Sequence, residues 1–352
     1  MLTPLSVLGL EEAYLALLRL VSEDHDHHIS ARGNDAREVI GASFRLSDPR
    51  QRLPFLAARK ANPVFHFAEA LWYLAGRRDL EMIGYYAPSM RSSSRDGIHV
   101  GGSAYGHTIF NPADGDTVSP FDRVLELLRG ERDSKRGYIP VFTADELAIR
   151  DNPDMACLAG LHFLVRDDRL HMVCYMRAND LDCGLLSDVF SFTMLQEFAA
   201  VQLGLELGSY THFIGSAHIC DRNAERVHRV LLEAVTRAAP IQFPFPAMPA
   251  NTTEATVARI LEHEEALRTN KSHYSAAHIE ASGLDPYWQQ VLLLFEVYRQ
   301  IQHDHADTVS PDVLDALDPG FRWLARHRWP ACASLVGATS EPEATERCCG
   351  RH

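Results

Sequence analysis

The chain reads as one α+β domain, with helices layered on a mixed sheet. Three observations predict it. Helical and β-prone segments are interleaved without the regular βαβ rhythm of a doubly wound sheet. No repeat or low-complexity linker divides the first 336 residues. A 46% hydrophobic content in 352 residues supplies one large core. Domain 1–336 is therefore expected, followed by a polar, frayed tail at 337–352.

The elements follow in order. Residues 8–23 carry apolar positions at helical spacing, and 62–75 read as a second helix with Pro63 in its first turn. A third, 120–130, ends at Gly130. A strand is predicted at 137–142. Residues 157–177 contain two β-prone runs joined by the charged RDDR turn, which predicts a hairpin. The apolar helix 187–204 is expected to start through Ser187 or Asp188 as N-cap. A strand at 209–219 and helices at 221–236, 253–269 and 285–303 complete the expectation.

Composition excludes several function classes. A net charge of −13 argues against a nucleic-acid binder, because backbone affinity needs clustered Lys and Arg. A small anionic ligand needs only a few converging basic groups and stays open. No run of about 20 apolar residues and no leader sequence predict a cytoplasmic protein without membrane contact. Seven cysteines without a CxxC pair predict reduced thiols, with neither a disulfide framework nor a metal site. No GxGxxG or phosphate-loop lysine motif occurs.

Six segments in order carry a resemblance. EALWYLAG from Glu69 resembles ELLWFLxG, GGSAYG ending at Gly106 resembles GPVYG, and DSKR ending at Arg136 resembles an SRR clamp. MACLAGLHF around Cys157 matches PPCHxxxxF, RANDLDCGLLSD (177–188) resembles RSCDxxLGLPFN, and SAHIC ending at Cys220 resembles DTHLY. Over roughly residues 30–235 the chain is similar to the thymidylate synthase superfamily. That resemblance implies the thymidylate synthase fold, a homodimer packed through its sheet faces, a pyrimidine nucleoside monophosphate and 5,10-methylenetetrahydrofolate as carbon donor, with no metal.

It also implies roles. Cys157 becomes the thiolate that adds at C6 of the base, a task that needs a soft, reversible nucleophile; taken alone it reads as a buried structural cysteine. Arg177, ending the paired strand, is the expected neighbour that lowers its pKa. Arg32 and Arg177 from one subunit, with Lys135 and Arg136 from the other, become the phosphate clamp, instead of the solvated charges such residues usually are. Glu69 is either a surface carboxylate or the general acid/base, and Tyr105 either a core aromatic or an active-site hydroxyl. Asp180 and Gly184 match folate-side positions, and His218 the sugar-hydroxyl ligand.

Departures from the family pattern choose the reaction. Asp188 stands where thymidylate synthases carry the asparagine that reads uracil. An acid accepts from the N4 amino group of cytosine and, sharing a proton, serves N3, as in the cytidylate hydroxymethylase branch; the alternative is a helix N-cap. The segment MIGYYAPSM lacks the family's tryptophans, an expected source of room for water near Tyr86. Cys220 and Ala178 replace a tyrosine and a serine, leaving space for a ribose 2′-hydroxyl. Leu158 replaces a histidine. Hydroxymethylation of CMP or dCMP is thus the expected activity, with thymidylate synthesis on dUMP and a non-catalytic nucleotide binder as alternatives.

Overall fold

The computed structural model describes residues 3–31, 33–113, 115–305 and 308–332. Within them, seven strands form one sheet: β1 (Leu5–Val7), β2 (His27–Ala31), β3 (Asn34–Leu46), β4 (Tyr138–Pro140), β5 (Leu158–Arg166), β6 (Arg169–Asp180) and β7 (Glu206–Cys220). The order is β1-β3-β7-β6-β5-β4, with β2 also on the outer edge of β3. β6 and β7 run parallel, and β3/β7, β4/β5 and β5/β6 antiparallel.

The predicted hairpin is β5–β6. Asp167 and Asp168 take φ of 50° and 56°, the left-handed pair that a two-residue turn between right-twisted strands requires and that aspartate tolerates. The parallel partner β7 is reached through the Leu185–Leu203 helix, which stops at Gly204 in the left-handed conformation (φ 64°). Every residue of that helix from Leu185 to Ala200 is buried. It lies between the sheet and the Pro63–Leu74 helix, and a helix hydrophobic all round belongs in such a middle layer.

The second long strand, β3, was not foreseen. Only Ala36, Ala42, Phe44 and Leu46 of its thirteen residues are buried, so it lacks the apolar run that marked β5 and β6. The helices Leu80–Tyr86, Tyr105–Phe110, Pro311–Ala316 and Pro319–Arg328 were also unforeseen and are short. The Leu10–Glu23, Pro63–Leu74, Pro120–Gly130, Ala224–Thr236, Glu254–Arg268 and Pro286–His303 helices fall where periodicity placed them. Asn62 caps the second by accepting from Phe65 N.

One boundary is corrected. Neither Ser187 nor Asp188 is the N-cap of the Leu185–Leu203 helix. Gly184 holds that position, Ser187 Oγ donates to the Gly184 carbonyl, and the Asp188 carboxylate accepts from Asn179. The helix-cap reading of Asp188 falls with it. The 337–352 tail lies outside the described residues. No helix among the described residues is long and apolar enough to cross a membrane.

Candidate active site

The site forms where β5, β6 and β7 end together. Cys157 immediately precedes β5, half-buried against the core, and its carbonyl accepts from Arg177 N across the hairpin (2.8 Å). The three residues before it are held from several sides. Arg177 donates from Nε to the Ala156 carbonyl (2.8 Å) and from Nη2 to that of Met155 (2.9 Å), while Ala156 N donates to Glu146 (2.7 Å). The guanidinium thus fixes the backbone next to Cys157, a task that sequence reasoning did not assign it.

The GGSAYG loop locks onto the same segment. Asp154 accepts from Ser103 N and Oγ, and a Cβ on Gly102 would lie 2.3 Å from Ala156 N. A Cβ on Gly106 would lie 2.2 Å from Tyr73 Cα. Both glycines are therefore needed for close backbone approach. The result is a buried Tyr105, its ring 5.5 Å from that of Tyr73.

Glu69 and Asp188 enter from the two helices of the middle layers. Glu69 is buried, not on a helix surface, and its Oε2 accepts from Ser191 Oγ (3.1 Å). Burial, then the charge of Asp188, pushes its pKa from 4.5 up to about 8, against the pull of hydrogen bonds from Ser191 and Tyr73. Burial pushes Asp188 up to about 7, opposed by the Asn179 amide at 2.7 Å. The Tyr105 hydroxyl is raised by its burial and then by the negative charges of Asp188, Cys157, Asp154 and Glu69. The thiol and both acids therefore act on one buried phenol, and acids poised near neutrality are suited to move protons.

Asp180, His218 and Cys220 meet on neighbouring strands, where Asp180 pairs with His218 in the β6/β7 register. Their ligand atoms lie within 4.8 Å of one another, and the Cys220 thiol donates to Asp180 Oδ2 (3.5 Å). A carboxylate, an imidazole and a thiol this close are a donor set that could hold a soft divalent metal, and because they come from two strands their proximity is not visible in linear spacing. Asp180 Oδ1 accepts from the backbone N–H groups of Asp182 and Cys183. A Cβ at Gly184 would sit 3.2 Å from Asn179 Nδ2 and 3.4 Å from Asp188 Oδ2, so a side chain there would crowd that hydrogen-bonded pair.

The remaining residues divide. Ala178 is half-buried beside Ser216 on β7. Lys135 and Arg136 are exposed before the edge strand β4, and Arg136 pairs with Glu131. Arg32 lies outside the described residues. Tyr86 is corrected: it is buried, donates to Glu264 (2.7 Å) and packs on Phe295 and Tyr298, so an aromatic substitution there would test packing and not water access. Sequence reasoning missed Tyr73, Asp154, Asn179, Ser191 and His212. Only Asn179 and His212 left a signal, as amide and imidazole inside runs bound for the core.

A half-buried thiol near two buried acids on a helix-layered mixed sheet fits the site of an enzyme that uses a nucleophile with acid/base partners. The thymidylate synthase family profile matches residues 12–265, well over half of the chain, and the chain belongs to that family. It is 30% identical over 220 residues to the deoxyuridylate hydroxymethyltransferase of Bacillus phage SP01, covering 59% of this chain and 56% of the phage protein. It is 29% identical over 283 residues to the enzyme of the same name from Pseudomonas phage M6, covering 79% and 68%. The chain thus spans little more than half the length of the first relative. Thermostable thymidylate synthase A from Bacillus subtilis superposes with a TM-score of 0.53 at 22% identity, over 63% of this chain and 84% of that one, which establishes the shared fold.

Proposed function

We propose that this chain transfers a one-carbon unit from 5,10-methylenetetrahydrofolate to C5 of a pyrimidine nucleoside monophosphate and adds water, giving the 5-hydroxymethyl nucleotide. The observation that carries this is the convergence of Cys157 with Glu69 and Asp188, both held close to neutral titration. The folate, when bound, supplies an electrophilic methylene carbon. Cys157 adds to C6 as thiolate, and the displaced electron pair is taken up along the ring edge that faces Asp188. Glu69 moves the proton lost from C5 and orders the water, in the role its raised pKa allows. Asp180 and Gly184 border the folate side. His218 and Cys220 face the sugar and Arg177 the phosphate, for which Arg32 is a further proposed ligand by resemblance alone.

The base we infer is cytosine, and CMP before dCMP. Asp188 supports the base, and the small Ala178 and Cys220 support the ribose. This combination resembles the CMP 5-hydroxymethylase of mildiomycin biosynthesis, and the product would feed either a nucleoside-antibiotic pathway or modified DNA. A second reading has its own support. Protonated Asp188 presents one donor and one acceptor, the pattern asparagine shows to O4 and N3–H of uracil, and both phage relatives are named for deoxyuridylate.

A homodimer is part of the reading. Tyr138, Tyr175 and Phe213 stand exposed in a row on the sheet face opposite the helices, Tyr175 stacked on Phe213 at 5.6 Å. Covered by a second copy, that face would bring Lys135 and Arg136 to the partner's phosphate.

Mass spectrometry after incubation with methylenetetrahydrofolate and each of CMP, dCMP, UMP and dUMP tests the proposal. A CH2O gain on a cytosine nucleotide is expected, absent in Cys157→Ala. The same gain on dUMP selects the second reading, a CH2 gain on dUMP means thymidylate synthesis, and binding without product means a non-catalytic homologue.

A further inference from the structure

Beneath Asp188 runs a row of buried polar side chains that the reaction above does not use. Tyr210 Oη lies 2.6 Å from His212 Nδ1, His212 Nε2 lies 3.1 Å from Asn179 Oδ1, and Asn179 Nδ2 donates to Asp188 Oδ2 at 2.7 Å. All four residues are buried.

The role of each atom follows by elimination. An amide nitrogen only donates and an amide oxygen only accepts, so with Nδ2 on the carboxylate, Oδ1 must accept from His212. His212 Nε2 therefore carries the hydrogen. The ring stacks on Phe44 at 5.2 Å, and burial lowers its pKa to about 3, so it is neutral and its bare Nδ1 accepts from the Tyr210 hydroxyl. Every donor in the row points toward Asp188. The reversed row, with the Asn179 oxygen on a protonated Asp188, would leave the Tyr210 hydrogen only the Cys174 sulfur beside it, a weak acceptor. The observed polarity is the favoured one.

We propose that Tyr210, His212 and Asn179 are positioning residues that fix the hydrogen-bonding polarity of Asp188. They keep Oδ2 an acceptor, so that any proton on the carboxyl sits on Oδ1, which no described side chain engages and which is left for the pyrimidine. A fixed donor–acceptor order on one acid then decides which base edge fits, a discrimination by unpaired polar groups that is stronger than discrimination by shape. The inference rests on the reading of Asp188 as the base-recognising acid. The other titratable groups facing Asp188 are Glu69 and Tyr73 from the Pro63–Leu74 helix, Tyr105 from its short helix, and Cys174 from β6.

The test is a 13C NMR titration of the Asp188 carboxyl in the full chain, assigned by its loss in Asp188→Asn, with calorimetric binding of CMP and dUMP. His212→Phe keeps a ring on Phe44 and removes the N–H. The Asp188 midpoint is expected to rise by about one pH unit and the CMP to dUMP affinity ratio to change about tenfold. His212→Gln, which restores an N–H donor, is expected to return both toward wild type. If His212→Phe does not fold, Tyr210→Phe deletes one atom at the far end and is expected to move the midpoint in the same direction. An unmoved midpoint in a folded variant overturns the proposal, even if pyrimidine selectivity persists. A moved midpoint without binding of either nucleotide supports the polarity lock and removes only the base-reading role.

Discussion

The two ends of the Leu185–Leu203 helix each bury a carboxylate, and their surroundings treat them in opposite ways. At the C-terminal end Glu197 accepts from Arg52 Nη2 (2.5 Å), Arg50 Nε (2.8 Å) and Met248 N (3.0 Å). Although burial opposes it, these partners, with the Arg52 charge foremost, hold its pKa below the ordinary value. At the N-terminal end Asp188 receives one neutral amide hydrogen bond and faces a second acid, Glu69. Burial alike in depth thus yields a permanent charge in one case and an acid poised near neutrality in the other. A buried carboxylate matched by cations staples the fold, whereas one left undermatched is available for chemistry.

The largest effect should come from breaking the staple. Glu197→Gln leaves Arg52, fully buried, without its counter-charge, and a loss of about 3–5 kcal/mol in denaturant unfolding is expected. Asp188→Asn should not destabilise the fold, because it removes an acid that ionises more readily unfolded than folded, and should instead change which nucleotide is bound. Equal destabilisation by both substitutions would dissolve the contrast.

A smaller effect separates the two ends by pH. Asp188 and Glu69 have folded pKa values of about 7 and about 8, above their ordinary 3.8 and 4.5. The folded chain therefore binds more protons than the unfolded chain across roughly pH 4–8, and their contribution to stability falls as pH rises through that window. Glu197 has the opposite sign: its contribution is present above the ordinary carboxylate value and is lost as pH falls through the depressed one. Melting temperatures against pH should show a neutral-range decline that flattens in Asp188→Asn and Glu69→Gln, and an acid-limb loss that flattens in Glu197→Gln.

The smallest expected effect is at Ser191, in the middle of the same helix. Ser191→Ala removes a donor to Glu69 worth about 1 kcal/mol. The Glu69 limb of a pH–rate profile should move upward by about half a unit or more, and an unmoved limb would mean that Glu69 is not the group that limits turnover.

The legibility of these features in the sequence differed for physical reasons. The β5–β6 hairpin and the long helices were readable because burial on one face writes a period into the chain. β3 was not, because most of its side chains are exposed or only half-buried, so no apolar run marks it. Cys157, Glu69, Tyr105 and Asp188 were found as motif positions, and the structure brings them together. Their electrostatic settings were invisible, since Ser191, Tyr73 and Asn179 reach them across the middle layers of the fold.

The sequence by itself determined the α+β class, the extent of the main helices, the family, and which side chains are proposed as nucleophile and acid. Only the tertiary structure decided that Arg177 braces the backbone at Cys157, that Asp180, His218 and Cys220 converge, and that Asn179 and His212 line up behind Asp188. Periodicity records what each residue buries, whereas a proton's position depends on which groups distant in the chain fold to within hydrogen-bonding reach of one another.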